Sequence, residues 1–370
     1  MIKFARIFGL LALLSTLALG ARAQSLGYEG PTGVFVTPLA YTAASPAKGF
    51  GSPVVGYHFL AGGPVLGDFS TISVTEGFAK RFEFGYTSVE HAGGSYSDGK
   101  FIETKPYVYS VDLPSSLWNS NFSILHAKVN LLPENFDKKN WIPALSAGII
   151  YRFNDQFGGN VANFVTYGDG PQDMRTNNED IYVVASKIVP VTKPLSVLLS
   201  AGLRGTNASL WGLGGNAPGF QGKVFGAAAL VLNGPAKSTI ILGSEVSEQP
   251  QHIYLSPAVL ENCDGFCVPA SQTGWIKRSL FDVPTSEVYA VRIVPSPKHK
   301  FNFDVGVLHA GNNVSNPLTS DALACDVYGC GAEEGVRPRV TPEAGSSDVE
   351  ISNVKINARA RVAFGLSYAF

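Results

Sequence analysis

The chain has 370 residues, 45% of them hydrophobic and 15% charged, with 40 glycines, 23 prolines and an 11% aromatic share. That balance excludes a disordered chain, and so much Gly and Pro suits many short strands joined by turns better than long helices. A formal net charge of −1, without a long single-sign run, excludes an electrostatic grip on nucleic acid.

Lys3 and Arg6 precede an apolar run from Ile7 to Leu19 and then Ala21-Arg22-Ala23. This is the pattern of a secretory signal, so residues 1–23 are expected to be cleaved after Ala23. The run is shorter than the roughly 20 residues of a bilayer-spanning helix. No Cys follows Ala23 directly, so a lipoprotein acceptor is missing there. Residues 24–49, with Pro31, Pro38 and Pro46, read as a non-spanning lead segment, on the periplasmic side or tucked into a lumen; a strand at Val34 to Thr37 is the alternative. Residues 50–370 form one domain with no linker or internal repeat beyond hairpins. An exported chain with no further stretch of membrane-helix length enters a membrane only as a closed barrel.

Alternation of apolar and polar residues predicts strands near 52–60, 69–78, 82–90, 121–132, 143–153, 180–189, 195–205, 221–232, 238–247, 286–295 and 300–309, and a last one ending at Phe370. The expected fold is all-β, a transmembrane antiparallel up-and-down β-barrel of twelve strands, with fourteen as the alternative. Ala79-Lys80-Arg81, Pro190 to Pro194, Asn233 to Lys237 and Pro295 to Lys300 are short links, whereas 154–179, 206–220, 248–285 and 310–350 are long. Short periplasmic turns and long external loops give that contrast, with both termini in the periplasm. Tyr107 to Leu113 would break the parity and is assigned to the external excursion between the third and fourth strands.

In the last strand Ile356, Ala358, Ala360, Val362, Phe364, Leu366, Tyr368 and Phe370 share one face, and alternation from Lys355 onward is unbroken. Gly365, Tyr368 and Phe370 resemble the C-terminal signal read by the barrel-assembly machinery, although Ala363 stands where a polar residue is usual. Outer-membrane lipid is then the other expected partner.

The same alternation turns His58, Glu83, His126, Lys128, Arg152, Arg204, Glu245, Arg292, Asp304, Arg359 and Arg361 toward the lumen, with Lys355 at the outer end. Bases outnumber acids in this set. A pore so lined favours anions, because planar guanidinium groups suit carboxylates and phosphates; alternatively the charges only tie the wall together. No cofactor or metal is expected. Ser123 and His126 are the best nucleophile and base, but residues three apart on a regular strand point to opposite faces, so no enzyme is expected. Gly212 to Gly219 and the Gly168-Asp169-Gly170 stretch lack the contexts of phosphate and calcium loops. Cys263, Cys267, Cys325 and Cys330 read as disulfide pairs in external loops, with local or crossed connectivity open.

Gly30-Pro-Thr-Gly33 with Thr37-Pro38, Arg81-Phe-Glu-Phe-Gly-Tyr86, Pro143-Ala-Leu-Ser-Ala-Gly148 and Tyr182-Val-Val-Ala-Ser-Lys187 resemble the YjbH-like outer-membrane proteins over residues 30–210. That resemblance implies a barrel associated with exopolysaccharide secretion and no catalytic residues. The reading is an outer-membrane channel or export accessory for anionic solutes or exopolysaccharide; the rivals are a non-conducting surface-binding barrel and a lipid-modifying enzyme.

Overall fold

A computed structural model describes residues 25–61, 68–92, 120–154, 176–208, 219–250, 252–257, 276–281, 285–295, 300–310, 314–316, 354–356 and 361–370. Its strands in chain order are β1 (Val54–Ala61), β2 (Asp68–Phe78), β3 (Phe82–Ala92), β4 (Ser120–Leu132), β5 (Ala144–Phe153), β6 (Asn178–Thr192), β7 (Leu195–Thr206), β8 (Gln221–Asn233), β9 (Thr239–Ser247), β10 (His252–Pro257), β11 (Ile276–Phe281), β12 (Ser286–Val294), β13 (Phe301–Ala310), β14 (Val314–Asn316), β15 (Val354–Ile356) and β16 (Arg361–Ala369). Twelve of them, β1 to β9 with β12, β13 and β16, close into one barrel in the order β1-β16-β13-β12-β9-β8-β7-β6-β5-β4-β3-β2. Every pairing is antiparallel, and β16 closes the wall on β1, with Val54 opposite Ala369 and Leu60 opposite Ala363. Closure pairs both edges, so no strand of the barrel sheet is left as an edge.

The two-residue period fixes two unlike faces. Along β16, Val362, Phe364, Leu366 and Tyr368 are exposed while Ala363, Gly365, Ser367 and Ala369 are buried. Every barrel strand exposes large apolar side chains in the same way, from Tyr57, Ile72, Phe84, Leu125, Ile149 and Ile181 through Leu203, Val224, Leu242, Val291 and Val305 to Phe364. An apolar band running round a whole barrel far exceeds the patches that water-exposed surfaces carry, and lipid is the medium that covers it. Among the described residues no helix is long and apolar enough to cross a membrane.

Five connections share one end with the chain's terminus. The backbone nitrogen of Ala369 donates to Lys300 at 2.7 Å and that of Phe370 to Pro53 at 3.1 Å. At this end lie the links β2–β3, β4–β5, β6–β7, β8–β9 and β12–β13; positive φ at Ala79 and Lys80 makes the first of these turns tight.

Two short pairings lie outside the twelve-stranded wall. Of the expected last strand from Lys355, Val354–Ile356 pairs with Val314–Asn316 in a two-stranded sheet, Arg361–Ala369 lies in the wall, and residues 357–360 lie outside the described residues. Among the described residues the ladder between β13 and β16 runs as far as Leu308 opposite Arg361, and β1 pairs with β16 as far as Ala363. The long link 248–285 holds a hairpin, β10 with β11. Tyr107 to Leu113, the four cysteines, the Gly-rich stretch 212–218 and Gly168 to Gly170 lie outside the described residues.

Candidate functional site

Residues 25–49 precede the wall and add no strand to it. Their prolines and glycines fold the segment on itself: Gly27 N donates to Pro31 O at 2.7 Å, Tyr28 N to Phe35 O at 2.6 Å and Leu39 N to Thr32 O at 3.1 Å. The stretch at Val34 to Thr37 closes as a turn, with Val34 N donating to Thr37 O at 2.9 Å. Nearly every residue from Ser25 to Leu39 is buried, including Glu29 at 1% exposure and Thr37 at 1%. Gly30 has φ 105°, and a Cβ there would stand 2.3 Å from Thr87 Oγ1 and 2.9 Å from the His126 ring, so only glycine fits against the wall.

The inward side chains of β1 to β9, β12, β13 and β16 hold this segment. Glu245 on β9 accepts from the backbone nitrogens of Phe35 at 2.7 Å, Val36 at 3.1 Å and Thr37 at 2.6 Å, and from Thr37 Oγ1 at 2.5 Å. Glu83 on β3 accepts from Thr32 N at 2.9 Å, Thr32 Oγ1 at 2.5 Å and Ala43 N at 2.6 Å, and pairs with Lys128 on β4 at 2.9 Å. Lys128 donates onward to the carbonyls of Thr32 and Leu39. Arg292 on β12 pairs with Asp304 on β13 at 2.6 Å and donates to the carbonyls of Gly33 and Val34. Ser146 donates to Ala40 O at 2.5 Å, Ser186 accepts from Ala40 N at 2.9 Å, and Ser367 accepts from Leu26 N at 3.3 Å. Thr75 on β2 donates to Gly30 O at 2.8 Å. His58 on β1 faces Phe35 edge-on with ring centroids 5.6 Å apart, and Leu198 and Ala229 on β7 and β8 share a buried cluster with Val34 and Leu39.

One carboxylate of the segment is buried among wall charges. Glu29 lies 3.0 Å from Arg204 on β7 and in contact with Arg152 on β5, while Asp180 on β6 contacts both guanidiniums, at 2.5 Å from Arg152. Burial acts to raise the Glu29 carboxyl, but Arg204 and Arg152 outweigh it and hold it below the ordinary carboxylate range. Tyr41, lower in the segment, donates to Glu134 at 3.1 Å, and burial together with that carboxylate pushes its phenol up.

The nine expected inward residues His58, Glu83, His126, Lys128, Arg152, Arg204, Glu245, Arg292 and Asp304 therefore meet at one place, the inner surface that grips the segment. Arg361 is half-buried in the inward register, and Arg359 lies outside the described residues. Ser123 bonds Tyr86 Oη at 2.8 Å on the outer side, whereas His126 is buried inside and lies 3.3 Å from Thr75, so the two do not meet. Reasoning on alternation passes over Asp180, which sits two residues before Tyr182 on the same face, and Glu29, for which a segment outside the strands gives no periodic signal.

Fold and surface define the class: a closed antiparallel β-barrel with a bilayer-facing exterior and an occupied interior. No protein-family model matches the chain, so the resemblance to YjbH-like proteins gains no support from one, and no curated protein matches it either. Among solved structures it is similar to a KdgM porin in complex with disordered oligogalacturonate, at 10% identity and a TM-score of 0.37 over 86% of this chain and 99% of that one. A FadL homologue of Pseudomonas aeruginosa matches at 10% identity and a TM-score of 0.35 over 95% and 100%. OmpT, an outer membrane protein of Vibrio cholerae, matches at 9% identity and a TM-score of 0.26 over 88% and 99%. Likenesses of this size bring no substrate with them.

Proposed function

We propose that this chain is a bacterial outer-membrane channel for an anionic solute, held shut by its own N-terminal segment. The observation that carries the reading is how the interior charges are used. Glu83, Lys128, Glu245 and Arg292 grip backbone groups of residues 32–43, yet those residues contribute nothing to the barrel ladder. The segment can thus withdraw without breaking one strand-to-strand bond. Gly49, at φ 95° with nothing within 4 Å of where a Cβ would stand, supplies a pivot where it leaves the wall.

The apolar exterior and the expected export signal support the outer-membrane location, and Gly365, Tyr368 and Phe370 support insertion by the barrel-assembly machinery. Arg152 and Arg204 support an anion as cargo. The YjbH-like resemblance implies association with exopolysaccharide secretion, and an exopolysaccharide that carries carboxylates suits the same arginines.

The test is single-channel recording in planar bilayers of the full chain and of a chain lacking residues 25–43. The full chain is expected to stay closed for most of the record, and the shortened chain to conduct steadily with a reversal potential favouring anions. A shortened chain that folds but passes no current overturns the channel and leaves the rival, a structural barrel whose segment is permanent filling.

A further inference from the structure

Arg152, Asn178, Asp180, Tyr182 and Arg204 project inward from three successive strands, β5, β6 and β7, and all are within 1% of complete burial. The register sets Arg152 opposite Asn178 and Arg204 opposite Tyr182. They occupy the end of the barrel opposite Phe370, since β5 and β7 finish there and β6 begins there. Glu29 is the segment's one carboxylate among them, touching both arginines.

The cluster has more hydrogen-bonding capacity than Glu29 uses. Nε and Nη1 of Arg152, both side-chain polar atoms of Asn178, Oδ1 of Asp180 and the hydroxyl of Tyr182 have no hydrogen-bond partner among the described residues. Buried polar groups are ordinarily matched, so a concentration of six unmatched atoms on adjacent strands points to a polar occupant beyond a single carboxylate. Charge narrows its identity. Two arginines against Asp180 and Glu29 are neutral; without Glu29 the wall keeps one positive charge in a dry site, which one negative charge neutralises and two overfill.

We propose that this cluster is a binding site for a polyhydroxylated monocarboxylate, and that Glu29 is its built-in occupant, displaced when the solute binds. The carboxylate takes the place of Glu29 between Arg152 and Arg204, and hydroxyl groups reach Asn178, Asp180 and Tyr182. Binding and release of the segment's tip are then coupled, because one position cannot hold two carboxylates. The inference rests on the channel reading for its purpose, but the site can be tested without any current.

The experiment is calorimetric titration of the full chain, refolded in detergent micelles, with gluconate, glucose and glucarate. Glu29→Gln is expected to bind gluconate at least tenfold more tightly than the unaltered chain, glucose not to bind, and glucarate to bind more weakly than gluconate. Arg204→Gln added to Glu29→Gln should abolish gluconate binding. Equal binding of gluconate by the unaltered chain and Glu29→Gln, or equal binding of gluconate and glucose, overturns the proposal. Should Glu29→Gln fail to fold, hydrogen exchange on the unaltered chain decides: saturating gluconate, but not glucose, should speed exchange of the amides of Gly27, Tyr28 and Gly30, which are bonded within the segment. No acceleration overturns it. Absence of current from the shortened chain, by contrast, refutes the channel and leaves the site standing.

Discussion

Glu245 receives two hydrogen bonds from Thr37, one from the backbone nitrogen at 2.6 Å and one from Oγ1 at 2.5 Å, across 208 positions of sequence. Among the described residues no cation lies within ion-pair distance of this carboxylate; consecutive backbone N–H groups of the segment take that role. Hydrogen bonds to a charged group contribute about 1.5–3 kcal/mol, and buried donors left unmet cost about 1–3 kcal/mol each. Glu245→Ala is therefore expected to loosen the segment while leaving the wall intact. Amide exchange at residues 35–37 should rise steeply, and the folded band in unheated gel electrophoresis should stay. Glu245→Gln, which keeps one carbonyl acceptor, should fall between. A variant with unchanged exchange shows that the segment is held elsewhere.

The Glu83–Lys128 pair, fully buried at 2.9 Å, is expected to behave asymmetrically. Removing one partner strands the other charge, a loss of about 3–5 kcal/mol, whereas exchanging both for apolar residues of similar volume is often neutral. Here the double exchange also strips Thr32 and Ala43 of their acceptor, so it should not be neutral. Urea titration of Glu83→Leu, Lys128→Met and the double variant gives the coupling. Glu83→Leu, which strands Lys128 and also strips Thr32 and Ala43 of their acceptor, should be the most damaging, and a double variant as stable as the unaltered chain would show that the segment contributes nothing through Glu83.

Much of the wall is readable because alternation with period two is a local property. In β5, Leu145, Ala147, Ile149 and Tyr151 alternate with Ser146, Gly148, Ile150 and Arg152, and a one-residue slip would turn Arg152 into lipid. The interior network is not readable for a different reason. Glu29 lies in a segment without period, and its partners are 123 and 175 residues away, so no window of sequence contains the contact. Asp180 is hidden at a strand end, where ladder position is least determined. In β6, Ile181 and Val183 outside and Tyr182 and Val184 inside are all apolar, so hydropathy cannot separate the faces.

Tyr182 lies over Gly148 on the neighbouring strand; a Cβ on Gly148 would come within 2.4 Å of the ring. This pairing of an inward aromatic with a cross-strand glycine fills space that the glycine leaves open. Gly148→Val is expected to cost about 1–3 kcal/mol through overpacking. Tyr182→Ala in the same chain should recover part of that loss, because the clash is removed. Thermal scans of the three variants provide the check; additive losses would place the strain somewhere other than this contact.

The turn from Gly234 to Ser238 is a single 3-10 turn between β8 and β9, closed by Gly234 N donating to Ser238 O at 2.8 Å. It lies at the end of the barrel that carries Phe370. With the proposed outer-membrane orientation, an epitope inserted at Gly234 should be reached by antibody only after the outer membrane is permeabilised. Labelling of intact cells would reverse the orientation and put the arginine cluster of β5 to β7 on the periplasmic side.

Acidification should open the channel through Glu29. Its carboxyl is held below the ordinary range in the folded chain, so the unfolded or withdrawn segment takes up a proton first. The stabilisation is then fully present above the free carboxylate value of about 4.3 and is lost as pH falls through the lowered folded value. Closure should be the same at pH 7 and pH 5.5 and fail only in stronger acid. Other carboxylates of the wall also grip the segment, so acid alone does not identify the group. Glu29→Gln does: its open fraction should already be raised at pH 7 and should change less between pH 5.5 and pH 3 than that of the unaltered chain. Identical pH profiles for the two would move the acid response to other carboxylates and remove Glu29 from the latch.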